Sequence, residues 1–253
     1  MGETVLITGA TSGIGRATAR LLAEKGYRLI LAGRRKERLD TLRGELESTS
    51  GQEVCTLCFD VRNPHEVEAA IASLPPTFQP IDILINNAGL AAGLDPVQEG
   101  SLQDWENMID TNVKGLLYIT RQVAPMMTAR KKGHIINISS IAGKETYPMG
   151  NVYCATKHAV QSLTKAMRLD LLKYGIKVSS VAPGAVNTEF SLVRFKGDQQ
   201  RAYKVYEGFT PLDGHDIAET ILFILSRPAH VCIDDILIMP AAQAYSRDFN
   251  REG

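Results

Sequence analysis

Tyr153 and Lys157 stand in Tyr153-Cys154-Ala155-Thr156-Lys157, and a four-residue separation on a helix places both side chains on one face. A free phenol titrates near pH ~10. An ammonium beside it favours the phenolate, so that Tyr153 can take a proton from an alcohol or give one to a carbonyl. Taken alone, the pair reads equally as a helix surface contact. Upstream, His134-Ile135-Ile136-Asn137-Ile138-Ser139-Ser140 has the pattern of a strand that delivers two hydroxyls to its C-terminal end, the edge where open α/β sheets bind ligands. Ser140 is the candidate to face Tyr153, donate to a substrate oxygen and stabilise the charge that develops there. Ser139 fits a turn before Gly143 equally well.

A second constellation lies near the N-terminus. Thr8-Gly9-Ala10-Thr11-Ser12-Gly13-Ile14-Gly15-Arg16 follows an apolar run and opens a helical pattern that reaches about Lys25. Glycine lets the backbone turn sharply and approach a pyrophosphate, while a helix N-terminus offers unpaired N–H groups and a positive dipole. The spacing Gly-x-x-x-Gly-x-Gly departs from Gly-x-Gly-x-x-Gly, but a first strand-to-helix junction is the place that dinucleotide binding requires. The next strand ends Ile30-Leu31-Ala32-Gly33-Arg34-Arg35, with no carboxylate for the ribose 2′-hydroxyl of NAD. Two guanidiniums there would hold a 2′-phosphate by bidentate hydrogen bonds, which points to NADP(H). An oxidised nicotinamide would add positive charge that further favours the Tyr153 phenolate.

The elements that must hold these groups follow from the alternation of the chain. Short runs rich in Val, Ile and Leu recur near 3–8, 27–32, 53–59, 81–85, 132–138, 176–181 and 234–238, with helix-length amphipathic stretches between them. Near-continuous apolar strands joined by helical crossovers predict a single α/β domain over 1–253: a doubly wound parallel sheet (Rossmann fold) of about seven strands with helices on both faces. Residues 101–128 read as one helix opened by a capping-box-like Ser101-Leu102-Gln103-Asp104, and 152–174 as another that Gly175 closes. Trp105 reads as packing.

Lys plus Arg and Asp plus Glu each total 28, so the chain lacks the broad positive field of nonspecific nucleic-acid or membrane-surface binders. No apolar run reaches the ~18–20 residues of a membrane span, and Glu3-Thr4-Val5-Leu6-Ile7-Thr8 opens without a leader, so the expected location is cytoplasmic. Four cysteines suit a reducing compartment. Cys55 and Cys58 form a C-x-x-C, but on a strand they point to opposite faces and read as small apolar side chains of a buried strand. The five histidines form no ligand pair, so no metal is expected.

These residues together resemble the short-chain dehydrogenase/reductase superfamily, in its single-domain NADP-dependent branch, over nearly the whole chain. The motifs in order are Thr8 to Gly15, Asp60-Val61, Asn86-Asn87-Ala88-Gly89, Asn112, Ser140, Tyr153 with Lys157, and Pro183-Gly184 followed by Thr188. The resemblance implies Tyr153 as general acid/base, Ser140 orienting the substrate, Lys157 on the nicotinamide ribose, and Asn112 completing a proton relay through water. It implies the cofactor turn at Gly9, Thr11, Ser12, Gly13, Ile14 and Gly15, the adenine at Asp60 and Val61, and the ribose region at Asn87, Ala88 and Gly89. The nicotinamide would lie at Pro183, Gly184, Val186 and Thr188.

A narrower resemblance concerns substrate. Ile81 to Ala91, Gly150-Asn151-Val152-Tyr153 and Thr188 to Asp198 are similar to the 3-hydroxy acid dehydrogenases, a branch that acts on serine, L-allo-threonine or related short acids. A hydroxy acid needs a cation for its carboxylate. Arg194 is the candidate because its planar fork binds both oxygens, with Lys196 second. Residues 189–211 form the expected substrate-covering segment. Glu145, Tyr147 and Met149, between Ser140 and Tyr153, are expected to line the pocket. A carbonyl reductase for neutral ketones or alcohols, and a noncatalytic NADP-binding protein, are the competing readings. The superfamily further implies a homotetramer, to which Ala241-Ala242-Gln243-Ala244-Tyr245 could contribute a subunit contact.

Overall fold

The computed structural model describes residues 2–252. Its strands are β1 (Thr4–Thr8), β2 (Arg28–Gly33), β3 (Val54–Cys58), β4 (Ile83–Asn86), β5 (His134–Ile138), β6 (Lys177–Pro183), β7 (Asp235–Ile238), β8 (Gln243–Tyr245) and β9 (Asp248–Phe249). Its helices are α1 (Gly13–Glu24), α2 (Lys36–Ser50), α3 (Pro64–Ala72), α4 (Leu102–Ile109), α5 (Leu116–Arg130), α6 (Asn151–Leu171), α7 (Glu189–Arg194), α8 (Gln199–Lys204) and α9 (Gly214–Leu225). The first seven strands form one parallel sheet in the order β3-β2-β1-β4-β5-β6-β7, the doubly wound Rossmann arrangement. Strand order reverses between β1 and β4.

Each central strand is apolar on both faces because each face carries its own core. Val5, Ile7, Leu29, Leu31, Ile83, Ile85, Ile136 and Val181 pack with α1, α2 and α9. Their neighbours Leu6, Ile30, Leu84, Ile135 and Val178 pack on the opposite side with α3, α5 and α6. This two-residue alternation between two cores explains the unbroken hydrophobic runs.

Three expectations are corrected. The stretch 101–128 is not one regular helix: α4 passes through a π-helical turn, Asp110–Gly115, before α5 begins. Hydrophobic spacing does not register one widened turn, which here carries Asn112. The capping box is only half formed, since Ser101 accepts from the Asp104 amide while the Asp104 carboxylate pairs with Lys196 at 2.8 Å. The Cys55/Cys58 strand is not buried throughout, because β3 is an edge strand; Cys58 is exposed, and all four cysteines are free. Gly175 does close the α6 region in a left-handed conformation, φ 69°. The antiparallel β8–β9 hairpin, too short to show periodicity, was not foreseen. Among the described residues no helix is long and apolar enough to cross a membrane, and no group of three or more His, Cys, Asp or Glu is placed to hold a metal.

His134, at the start of β5, is buried between strands. Ser179 donates its hydroxyl proton to the Ile233 carbonyl, so its oxygen accepts from His134 Nε2 at 2.9 Å, which fixes the neutral tautomer. Burial, helped by the Lys177 charge, pulls the imidazole down to about 3. Because an exposed histidine titrates near ~6.5, the unfolded chain binds the extra proton below that pH, and stability present above it is lost as pH falls toward 3, by up to about 5 kcal/mol. The urea midpoint of the wild type should therefore drop steeply between pH 6.5 and 4. His134→Gln, which keeps a donor and does not titrate, should flatten that drop; parallel curves would exclude His134 as the cause.

Candidate active site

At the reversal of strand order, β1 and β4 are tied to each other by side chains. Thr8 Oγ1 accepts from the amides of Asn87 (3.1 Å) and Ala88 (3.0 Å), and Asn87 Nδ2 donates to the carbonyls of Thr8 (2.9 Å) and Gly9 (3.1 Å). The glycine turn is built on this tie. Gly9 and Gly13 have positive φ, and a Cβ on Gly15 would lie 2.4 Å from the Gly9 carbonyl oxygen. Ser12, the N-cap of α1, sets no side-chain oxygen on the first-turn amides, and that turn carries no acidic residue. The helix end is thus left for an external anion.

This cradle opens into a crevice of about 670 Å³ along the carboxyl edge of the sheet. Every residue singled out above for cofactor or chemistry lines it except Gly15 and Asn112. Arg35 lies over the turn, donating to Thr11 Oγ1 (2.8 Å) and Ser12 Oγ (3.1 Å). It also meets Glu189, the first residue of α7, which Arg38 binds as well at 2.9 Å. Arg34 approaches Asp60 at 3.6 Å, and Arg62 grips the same carboxylate through its side chain and its amide. Partial burial pushes the Asp60 carboxyl up, but the Arg62 hydrogen bonds and the Arg34 charge outweigh it and hold the group below the usual carboxylate range. Uncovered amides, close-approach glycines and clustered guanidiniums fit a phosphorylated dinucleotide.

Farther along the crevice, α6 presents Tyr153 and Lys157 on its buried face, and Ser140 stands two residues beyond the end of β5. Lys157 Nζ donates to the Ile138 carbonyl at 3.0 Å and lies 6.0 Å from the Tyr153 ring centroid. Burial pulls its ammonium down to about 8. Burial also pushes the Tyr153 phenol far above its ordinary value, with Tyr147 adding to the rise, while a hydrogen bond from Ser140 and the Arg194 charge pull it back. The Ser139 hydroxyl is spent on the Lys157 carbonyl. Asn112 is brought alongside, but its amide is fully engaged: it exchanges two 2.8 Å hydrogen bonds with the backbone of Leu90 and donates to Thr156 Oγ1.

At the far end stands Arg194, the last residue of α7. It donates to the Gly93 carbonyl (3.1 Å) and the Tyr147 hydroxyl (3.0 Å), with its Cζ 5.7 Å from the Tyr153 ring centroid. Lys196 is not part of this site; it turns away to Asp104 and does not line the crevice. Glu145 also departs from expectation, its carboxylate accepting from the Ser246 amide outside the lining, and Met149 borders an adjoining shallow depression. Tyr147 does line the crevice, and Trp105 packs in a small core around Tyr153. Gln243 folds back onto its own chain, accepting from the Ala185 amide, while Tyr245 stays exposed.

The sequence reading missed Glu189, Arg38, Phe190 and Arg247. Phe190, 5.7 Å from the Tyr153 ring, sits in a segment already expected to cover the site. The contact of Glu189 with Arg35 and Arg38 spans about 150 residues and leaves no local signal.

Residues 3–198 match the model of the short chain dehydrogenase family. The chain is 48% identical to an NADP-dependent 3-hydroxy acid dehydrogenase of Salmonella typhi over 96% of both chains. It is 43% identical to a serine 3-dehydrogenase of Agrobacterium fabrum over 97% of both. Among solved structures, the closed form of a serine dehydrogenase complexed with NADP+ matches with a TM-score of 0.92 at 44% identity, covering 98% of this chain and 99% of that one. A serine dehydrogenase from Escherichia coli matches at 0.82 and 41% identity, over 95% and 99%.

The Gly15 contact gives a direct check. Gly15→Ala must displace backbone and should cost about 1–3 kcal/mol, lowering Tm by several degrees and NADPH affinity at least tenfold. Gly44→Ala, on the open face of α2, should raise stability by about 0.5–1 kcal/mol and leave NADPH binding unchanged in the same fluorescence titration. Equal effects would separate the cradle from the Gly9 contact.

Proposed function

We propose that this chain, which belongs to the short chain dehydrogenase family and is an NADP-dependent oxidoreductase, interconverts a short 3-hydroxy acid and the matching 3-oxo acid. The observation that carries this reading is the Arg194 guanidinium held beside Tyr153 with no acidic side chain paired to it among the described residues. A substrate carboxylate would supply the missing charge, and the bidentate fork would turn the 3-hydroxyl toward the phenol. The names borne by the relatives agree with this substrate class.

The bound nicotinamide supplies or accepts the hydride. Tyr153, as phenolate, removes the hydroxyl proton during oxidation and returns it during reduction. Ser140 donates to the same substrate oxygen and stabilises its developing charge. Lys157 holds positive charge beneath the phenol and binds the ribose. Asn112, with its amide committed, serves the proton path by fixing Leu90 and α6 rather than by exchanging protons. Arg34 and Arg35, with Thr11 and Ser12, hold the 2′-phosphate; Gly9, Gly13, Ile14 and Gly15 admit the pyrophosphate. Asp60 and Val61 border the adenine. Asn87, Ala88 and Gly89 shape the ribose region, and Pro183, Gly184, Val186 and Thr188 the nicotinamide end. We further infer a homotetramer, supported by the exposed Leu102 at the start of α4, Leu169 on α6 and Leu172 just after it.

Initial rates of NADP-dependent oxidation should be highest for L-serine, L-allo-threonine, 3-hydroxyisobutyrate or 3-hydroxypropionate and low for plain secondary alcohols. Since the base must be deprotonated and burial opposes that, oxidation should speed up with rising pH and reduction slow down. Tyr153→Phe should lower kcat by roughly 10²–10⁴-fold without weakening NADPH binding. Arg194→Met should raise KM for the acids about tenfold or more and spare neutral alcohols. Turnover of neutral alcohols alone would establish the carbonyl reductase reading instead.

A further inference from the structure

The turn between β8 and β9 brings a second guanidinium to the substrate end of the crevice. Arg247 stacks on the Tyr147 ring, its Cζ 4.7 Å from the centroid, while Arg194 lies 5.6 Å from the same ring and binds its hydroxyl. Both arginines line the crevice together with Tyr147 and Tyr153.

The hairpin that carries Arg247 is anchored. The Ser246 amide donates to the Glu145 carboxylate at 2.9 Å, and Gln243 bridges the Ala185 amide to the Tyr245 carbonyl. The Asn250 amide closes onto the Ala242 carbonyl. The side chain therefore starts from a fixed base beside the pocket, and the aromatic face gives it a preferred resting place.

Charge completes the picture. Along the crevice Arg34 meets Asp60 and Arg35 meets Glu189, while Arg201 lies over the Phe195 ring and Arg251 donates to the Glu207 and Val205 carbonyls. Among the described residues, neither Arg194 nor Arg247 forms an ion pair. Two like charges gathered around one tyrosine repel each other until an anion enters between them.

We propose that Arg247 is a second cation of the substrate carboxylate site, so that the C-terminal hairpin as well as α7 sets the preference for acids over neutral alcohols. This rests on the hydroxy-acid reading above. Arg194 reaches the carboxylate from α7 and Arg247 from the turn between β8 and β9, both beside the Tyr147 ring. Arg247 is the more exposed of the two, so water screens it more and its share of the attraction is smaller.

The test compares 3-hydroxypropionate with its uncharged methyl ester in the wild type, Arg247→Met, Arg247→Gln and Arg247→Lys. In the Met and Gln variants KM for the acid should rise about three- to tenfold with kcat nearly held, kcat/KM for the ester should stay within twofold, and Lys should restore much of the acid KM. Added salt should weaken acid binding less in the Met variant than in the wild type. A wild type that prefers the ester would overturn the hydroxy-acid reading and this inference together. A wild type that prefers the acid, with Met and Gln variants that keep that preference or lose acid and ester activity alike, would overturn the role of Arg247 alone.

Discussion

The crevice exists because Thr8 and Asn87 tie the carboxyl ends of β1 and β4 at the point where strand order reverses. Strand ends leave carbonyls without ladder partners, and such groups need a replacement when buried. Asn87 supplies it for Thr8 and Gly9, while Thr8 returns the favour to the amides of Asn87 and Ala88. The glycine turn can then lie flat against the tie, and α1 can start close to it. Gly15 follows from the same constraint, for no side chain fits between the Gly9 carbonyl and the Asn87 amide.

Polar groups inside the site are handled in the same way. Asn112 holds Leu90 by a reciprocal pair of hydrogen bonds and Thr156 by a third, which links the segment after β4 to the helix of Tyr153 and Lys157. Deeper, Asn86 donates to Asn137 and Thr120, and Asn137 to Thr164, so the middle of the sheet is stitched to α5 and α6. A buried network with its donors placed fixes one arrangement of elements, which loose apolar packing does not do alone. Tyr153 and Lys157 are thereby positioned by the fold and not by their own flexibility.

Much of this was legible in the sequence, for identifiable reasons. The central strands could be read because both their faces are buried, the edge strands β3 and β7 because they keep short apolar runs between helical stretches, and the cradle because its residues are contiguous. Tyr153, Lys157 and Ser140 were readable because one helix turn and one strand end place them. What escaped reading depends on distant contacts or small irregularities. The π-helical turn at Asn112 leaves the apolar pattern nearly intact, Glu189 meets its arginines from about 150 residues away, and Arg247 sits on a hairpin of two very short strands. Lys196 and Glu145 were misplaced because sequence fixes a residue's neighbourhood but not the partner that captures its charge.

Lys157 carries a consequence for the whole molecule. An ammonium that titrates near ~10.4 in the unfolded chain but at about 8 inside the fold opposes folding by about 3 kcal/mol at neutral pH, an opposition that eases only as pH rises from 8 toward 10.5. That is a sizeable share of the ~5–15 kcal/mol by which native proteins outlast unfolding. The two hydrophobic layers must supply a surplus to cover it, and less is left to absorb random substitution elsewhere. Core positions such as Leu6, Ile7, Leu84 and Ile85 are therefore held to a narrower range of replacements than the same packing would tolerate around an uncharged residue at 157.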